Sequence, residues 1–78
     1  MDELSENEYM MCRIFDKITW GQNNDRPEIL MKDIISEFPN RTPEEIGRTL
    51  NRLKKKGIVT GITDNIISVN KTKFNRFY

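Results

Sequence analysis

The chain predicts an α+β domain in which three helices come first and a β-hairpin closes the sequence. Three observations carry this. Apolar residues recur at helical spacing in three separate stretches before residue 57; the period then changes to that of strands over residues 58–69; and turn-forming residues mark each change. With 78 residues, 36% of them apolar, there is material for one small core. A chain of this length buries only about 60–65% of its unfolded surface, so a single domain of modest stability is expected.

The first helix is expected over residues 5–20. Ser5 and Glu8 fit a capping box at its start, and Met11, Ile14, Phe15 and Ile18 form an i, i+3, i+4, i+7 core face. Tyr9, Cys12 and Arg13 fall toward the other side, with Cys12 read as a small semi-buried residue. Gly21 offers a left-handed stop, and the polar loop GQNNDRP follows. Residues 28–30 read either as a short strand or as the lead-in to the second helix. That helix is expected over 31–38, with Ile34, Ile35 and Phe38 inward, and Pro39 ends it.

The third helix, residues 43–56, is the most completely marked segment. Thr42 can cap it, Pro43 suits the first helical position, Glu45 completes a capping box and Gly57 supplies the left-handed end. Ile46, Leu50 and Leu53 share one stripe; Arg48, Asn51, Arg52 and Lys55 project to the other side, with Glu44 near them at the start. Lys54 and Lys56 flank the core stripe and are expected to be solvated. Gly47 weakens the helix by about 1 kcal/mol relative to Ala. It serves either close packing against another helix or close approach to a nucleic-acid backbone.

The hairpin occupies residues 58–70. Its turn is Thr63-Asp64-Asn65, where Asp and Asn tolerate positive φ. An isolated hairpin is marginal, so it must pack on the helices, and a third strand at 28–30 would help. The tail, 71–78, interleaves Lys71, Lys73 and Arg76 with Phe74, Phe77 and Tyr78. The aromatic spacing suits one helical turn packed on the domain or on a second copy.

Charge is divided along the chain. Residues 1–45 carry 5 Lys/Arg against 11 Asp/Glu, and residues 46–78 carry 8 against one acid, Asp64, giving −6 and +7 within a net charge of +1. One acidic and one basic face follow, the latter suited to a polyanion. Catalytic chemistry has little to draw on. The chain has no histidine and one cysteine, and its four glycines never cluster into a phosphate loop. No enzyme activity, cofactor or metal is expected. There is no long apolar run for a membrane span, the N-terminal MDELSENEY is not a signal peptide, and one cysteine cannot form an internal disulfide. An intracellular protein is expected.

The order helix, short strand, helix, helix, strand, turn, strand resembles the winged helix-turn-helix superfamily. The residues that carry the resemblance are MKDIISEF for the second helix, TPEEIGRTLNRLKKKG for the third and IVTGITDNIISV for the hairpin, over residues 9–70. It implies a three-helix winged helix-turn-helix with a C-terminal β-hairpin wing, and most such domains bind duplex DNA. A subset that binds left-handed nucleic acid carries an Asn and a Tyr on the third helix and a Pro-Pro-x-Trp wing. Here the matching positions are Gly47 and Asn51 and the wing has neither Pro nor Trp, so the resemblance stops short of that subset.

The resemblance places the third helix in the major groove. Arg48 and Arg52, one turn apart, can each take a guanine O6/N7 edge, and Asn51 an adenine. Lys55 is suited to phosphate, as are Arg41 and Thr42 at the helix start, aided by the terminal amides. Thr63 and Asn65 in the wing and Lys71 and Lys73 in the tail are additional phosphate candidates. The wing itself has no Arg or Lys, and Asp64 at its tip repels phosphate. The expected partner is therefore double-stranded DNA, in the setting of transcriptional regulation, with a homodimer as a further expectation. The other reading is a protein-interaction adaptor or inhibitor, resting on the acidic first half, the uncharged wing and the aromatic tail.

Overall fold

The computed structural model describes residues 4–74, Phe74 by its backbone alone. Arg76 and the aromatic spacing of Phe74, Phe77 and Tyr78 thus lie outside the described side chains. In chain order the elements are α1 (Glu6–Ile18), β1 (Glu28–Leu30), α2 (Met31–Glu37), α3 (Pro43–Lys55), β2 (Val59–Ile62), β3 (Ile66–Val69) and α4 (Lys71–Phe74). The fold is α+β, with four helices and a three-stranded antiparallel sheet among the described residues.

The sheet order is β1-β3-β2. The segment that the sequence left open at 28–30 is a strand, with Ile29 opposite Ile67 on β3. The hairpin strand β3 is therefore central and gains a second partner, which answers the marginal stability of a lone hairpin. Between β2 and β3 the register slips, Val59 facing Val69 and Gly61 facing Ser68, so Thr60 is the extra residue of a bulge. The turn differs from expectation. Among the described residues none other than glycine has a positive φ. Thr63 closes it instead: its N–H donates to Ile66 O at 2.9 Å, and its hydroxyl accepts from Ile66 N and donates to Ile66 O, both at 3.0 Å.

The core joins Met11 and Phe15 of α1, Ile34 and Phe38 around α2, Ile46, Leu50 and Leu53 of α3, and Ile29, Val59 and Ile67 of the sheet. Two helix faces are rotated from those expected. Cys12 is fully buried and Glu8 is 4% exposed, while Ile14 and Ile18 sit at the margin of the core. The centre of the α1 face thus runs through Glu8, Met11, Cys12 and Phe15, which is itself an i, i+3, i+4, i+7 set. On α2, Ile35 is 40% exposed rather than inward. A helix of seven residues offers one narrow stripe, and Met31, Ile34 and the cap residue Phe38 occupy it.

Helix ends follow local chemistry. Ser5 Oγ accepts from Glu8 N–H at 3.2 Å and donates to Glu8 Oε1 at 3.1 Å. α1 stops at Ile18, two residues before the expected end: the C-cap Thr19 still donates its N–H and hydroxyl to Phe15 O, at 2.9 and 2.7 Å, and a tight turn then closes from Gln22 N–H to Thr19 O at 3.0 Å. Gly21, at φ 83°, then redirects the chain. α3 ends in a complete Schellman pair: Ile58 N–H donates to Leu53 O and Gly57 N–H to Lys54 O, both at 3.0 Å, with Gly57 at φ 79°.

Candidate nucleic-acid interface

α3 holds its outer face in place from the opposite side. Ile46, Leu50 and Leu53 are essentially buried, and Thr49 joins them, its hydroxyl donating to Glu45 O at 3.0 Å. That anchoring leaves Arg48, Asn51, Arg52 and Lys55 exposed in one row of about two turns, roughly 10 Å long at 1.5 Å per residue. Among the described residues no hydrogen bond or ion pair engages these four side chains. Glu44 lies four residues before Arg48, the favourable order for a helical ion pair, yet the two are not bridged. The acids of the first turn and the cations of the last instead each complement their end of the helix dipole.

At the helix start Thr42 is occupied as the cap, its hydroxyl accepting from Glu45 N–H at 3.2 Å. Arg41 is half-buried, its backbone N–H donating to Phe38 O at 3.1 Å. Gly47 meets no tight neighbour: a Cβ built there finds nothing within 4 Å among the described residues. Of the two explanations for this glycine, close packing inside the domain is therefore removed.

The additional phosphate candidates do not gather into one group. Thr63 is engaged in its own turn. Asn65 is exposed, and its carbonyl accepts from Met31 N–H at 2.8 Å. The ammonium of Lys71 caps the end of α1, donating to Thr19 O at 3.0 Å and Gln22 O at 2.7 Å. Lys73 is brought to the C-terminal end of α3, its Nζ 2.9 Å from where a Cβ on Gly57 would stand.

Two charged pairs have no counterpart in the sequence reading, the exposed Lys17–Glu37 pair and a buried one. Lys56, expected to be solvated, is ion-paired with the buried carboxylate of Glu8, joining the end of α3 to the start of α1. The signal was present: Glu8 falls on the same helical stripe as Met11, Cys12 and Phe15, and a carboxylate on a core stripe requires a cation. Beside this pair, burial first and then the Glu8 charge push the Cys12 thiol from its ordinary 9.0 up to about 12, against the lowering effect of Lys56. The folded state thus keeps a proton that the unfolded chain releases. The stability this contributes is complete below about pH 9 and is lost as pH rises toward 12. A neutral, buried thiol is also unreactive. Ellman's reagent at pH 8 is expected to label Cys12 at least about tenfold faster in denaturant than in the native protein; equal rates would contradict its burial.

No helix among the described residues is long and apolar enough to cross a membrane, and none of their His, Cys, Asp and Glu side chains gather in threes as a metal site. Comparison of the chain with protein-family models, with curated proteins and with solved structures finds no match.

Proposed function

We propose that this chain is a winged helix-turn-helix protein that binds duplex DNA, with α2 and α3 as the helix-turn-helix, β2–β3 as the wing and α3 inserted in the major groove. The reading is that of a small intracellular transcriptional regulator. One observation carries it: the outward row of Arg48, Asn51, Arg52 and Lys55, uncommitted among the described residues and mounted on a helix whose other face is core. Arg48, Asn51 and Arg52 read base edges, and Lys55, Arg41 and the α3 amides hold phosphate. Neutral groups of the wing, Thr60 and Asn65 among them, lie along the backbone.

Fluorescence anisotropy with a random 30-base-pair duplex tests this. Affinity is expected to fall with salt at a log–log slope of about −0.9 for each phosphate neutralised. Absence of binding at low salt would overturn the reading. It would turn attention to the protein-interaction alternative, which the exposure of Leu30 and Ile35 favours.

Gly47 has a place in the same reading. With packing excluded, it leaves helix backbone bare beside Asn51, where a sugar-phosphate strand can approach closely. Gly47→Ala is expected to stabilise the fold by about 1 kcal/mol and at the same time to weaken duplex binding. Thermal melts and anisotropy on the same variant check both halves; a variant that binds as well as wild type would contradict the close approach.

A further inference from the structure

α1 carries a second face that the core does not use. Its buried side is Glu8, Met11, Cys12 and Phe15. About 120° round the helix at 100° per residue, Tyr9, Arg13 and Asp16 form a stripe, and Trp20, just past the C-cap, extends its sequence spacing. Tyr9 is 39% exposed and Trp20 79%. Arg13 is exposed and Asp16 half-buried, and although three residues apart they form no ion pair with each other or with any other described residue.

The spacing of this stripe reads the same in both directions: four residues, three, then four. In an antiparallel helix pair whose two-fold axis passes between residues 14 and 15, a single register sets Tyr9 against Trp20 of the second copy. The same register sets Arg13 against Asp16 of that copy, and symmetry repeats both contacts. A parallel pairing in register would instead place Arg13 on Arg13 and Asp16 on Asp16, which like-charge repulsion disfavours. Tyr, Trp and Arg are also the residue types that dominate interface energetics, and an aromatic pair adds about 0.5–1.5 kcal/mol beyond its area.

We propose that the Tyr9-Arg13-Asp16-Trp20 face of α1 is a self-association surface on which a second copy of this chain docks antiparallel about a two-fold axis. The occupant is set by charge complementarity, since the face is complementary to itself. The proposal goes beyond DNA binding and does not depend on it.

Sedimentation equilibrium of the full chain, from about 1 to 200 μM, tests it with four variants. Wild type is expected to dimerise with concentration. Arg13→Asp and Asp16→Arg each bring like charges together twice, and each is expected to weaken the dimer by at least about tenfold. The double reversal Arg13→Asp/Asp16→Arg re-forms both pairs and is expected to return dimerisation to within about threefold of wild type. Trp20→Ala is expected to weaken it by about tenfold or more. Circular dichroism verifies that each variant is folded, which the exposure of Arg13 and Trp20 favours. A wild type that stays monomeric, a single reversal that leaves the dimer intact, or a double reversal that fails to restore it would each overturn the proposal.

Discussion

Replacing Arg48 and Arg52 together with alanine is expected to lower duplex affinity by about thirtyfold or more and to remove preference among sequences. Each bidentate guanidinium–guanine contact discriminates by about 1–3 kcal/mol, so the loss of two multiplies to at least this factor. Neither side chain is part of the core or bonded to another described residue, so the fold should be retained and the effect read as binding alone. Lys54→Ala is the matched control. It removes an exposed cation from the same helix, off the row, and is expected to change affinity less than about threefold because it forfeits at most one phosphate contact. Anisotropy of the three proteins on one duplex at one salt concentration separates a positioned pair of arginines from a diffuse positive charge. A double variant that binds like wild type would remove α3 from the interface.

The largest expected change in stability comes from Lys56→Ala. Glu8 is 4% exposed, and its carboxylate is matched by Lys56, whose side chain is 23% exposed. Removing the cation leaves the buried carboxylate with the Ser5 hydroxyl but no opposite charge, and an unmatched buried charge costs about 3–5 kcal/mol where both partners are fully enclosed. Because Lys56 is reached by water, about 2–3 kcal/mol is expected here, a fall in Tm of about 10–20 °C for a domain of this size. Two comparisons isolate the cause. Lys17→Ala breaks the Lys17–Glu37 pair, in which Lys17 is 67% exposed, and should cost no more than about 1 kcal/mol. Glu8→Met/Lys56→Met replaces the pair by apolar groups and should recover most of the loss. Thermal denaturation of the four proteins checks the order; a Lys56→Ala protein as stable as wild type would show that Glu8 is not held by this pair.

The parts of the fold that were legible in the sequence are those in which several local signals agree. α3 has a capping hydroxyl, a proline at its first position, an apolar stripe and a glycine end, and each is realised at the residue that the sequence indicated. The hairpin was legible from β-branched residues, whereas residues 28–30 stayed open between strand and helix entry, since their own composition decides neither. What was not legible depended on tertiary partners. Cys12 reads from sequence as semi-buried and Glu8 only as the capping partner of Ser5, because a hydrophobic pattern does not admit a carboxylate to a core stripe; the lysine that admits it lies 48 residues away. Ile35 was assigned inward because an apolar residue on a short helix gives no sign of how narrow the buried stripe is. The turn at 63–65 was expected from the φ tolerance of Asp and Asn, whereas a threonine hydroxyl closes it. On the candidate site, exposure of the row on α3 follows from the helical period. The engagement of Lys71 with the end of α1 has no local signal, since its acceptors are backbone carbonyls that any residue would supply.

The most direct test of the central claim is an NMR titration of the 15N-labelled chain with a 30-base-pair duplex at low salt. The account predicts the largest amide shifts from Arg41 to Lys55, at Thr42, Gly47, Arg48, Asn51 and Arg52, with small changes at Asp16 and Lys17 on α1. Shifts concentrated on α1, or no shifts at all, would contradict it.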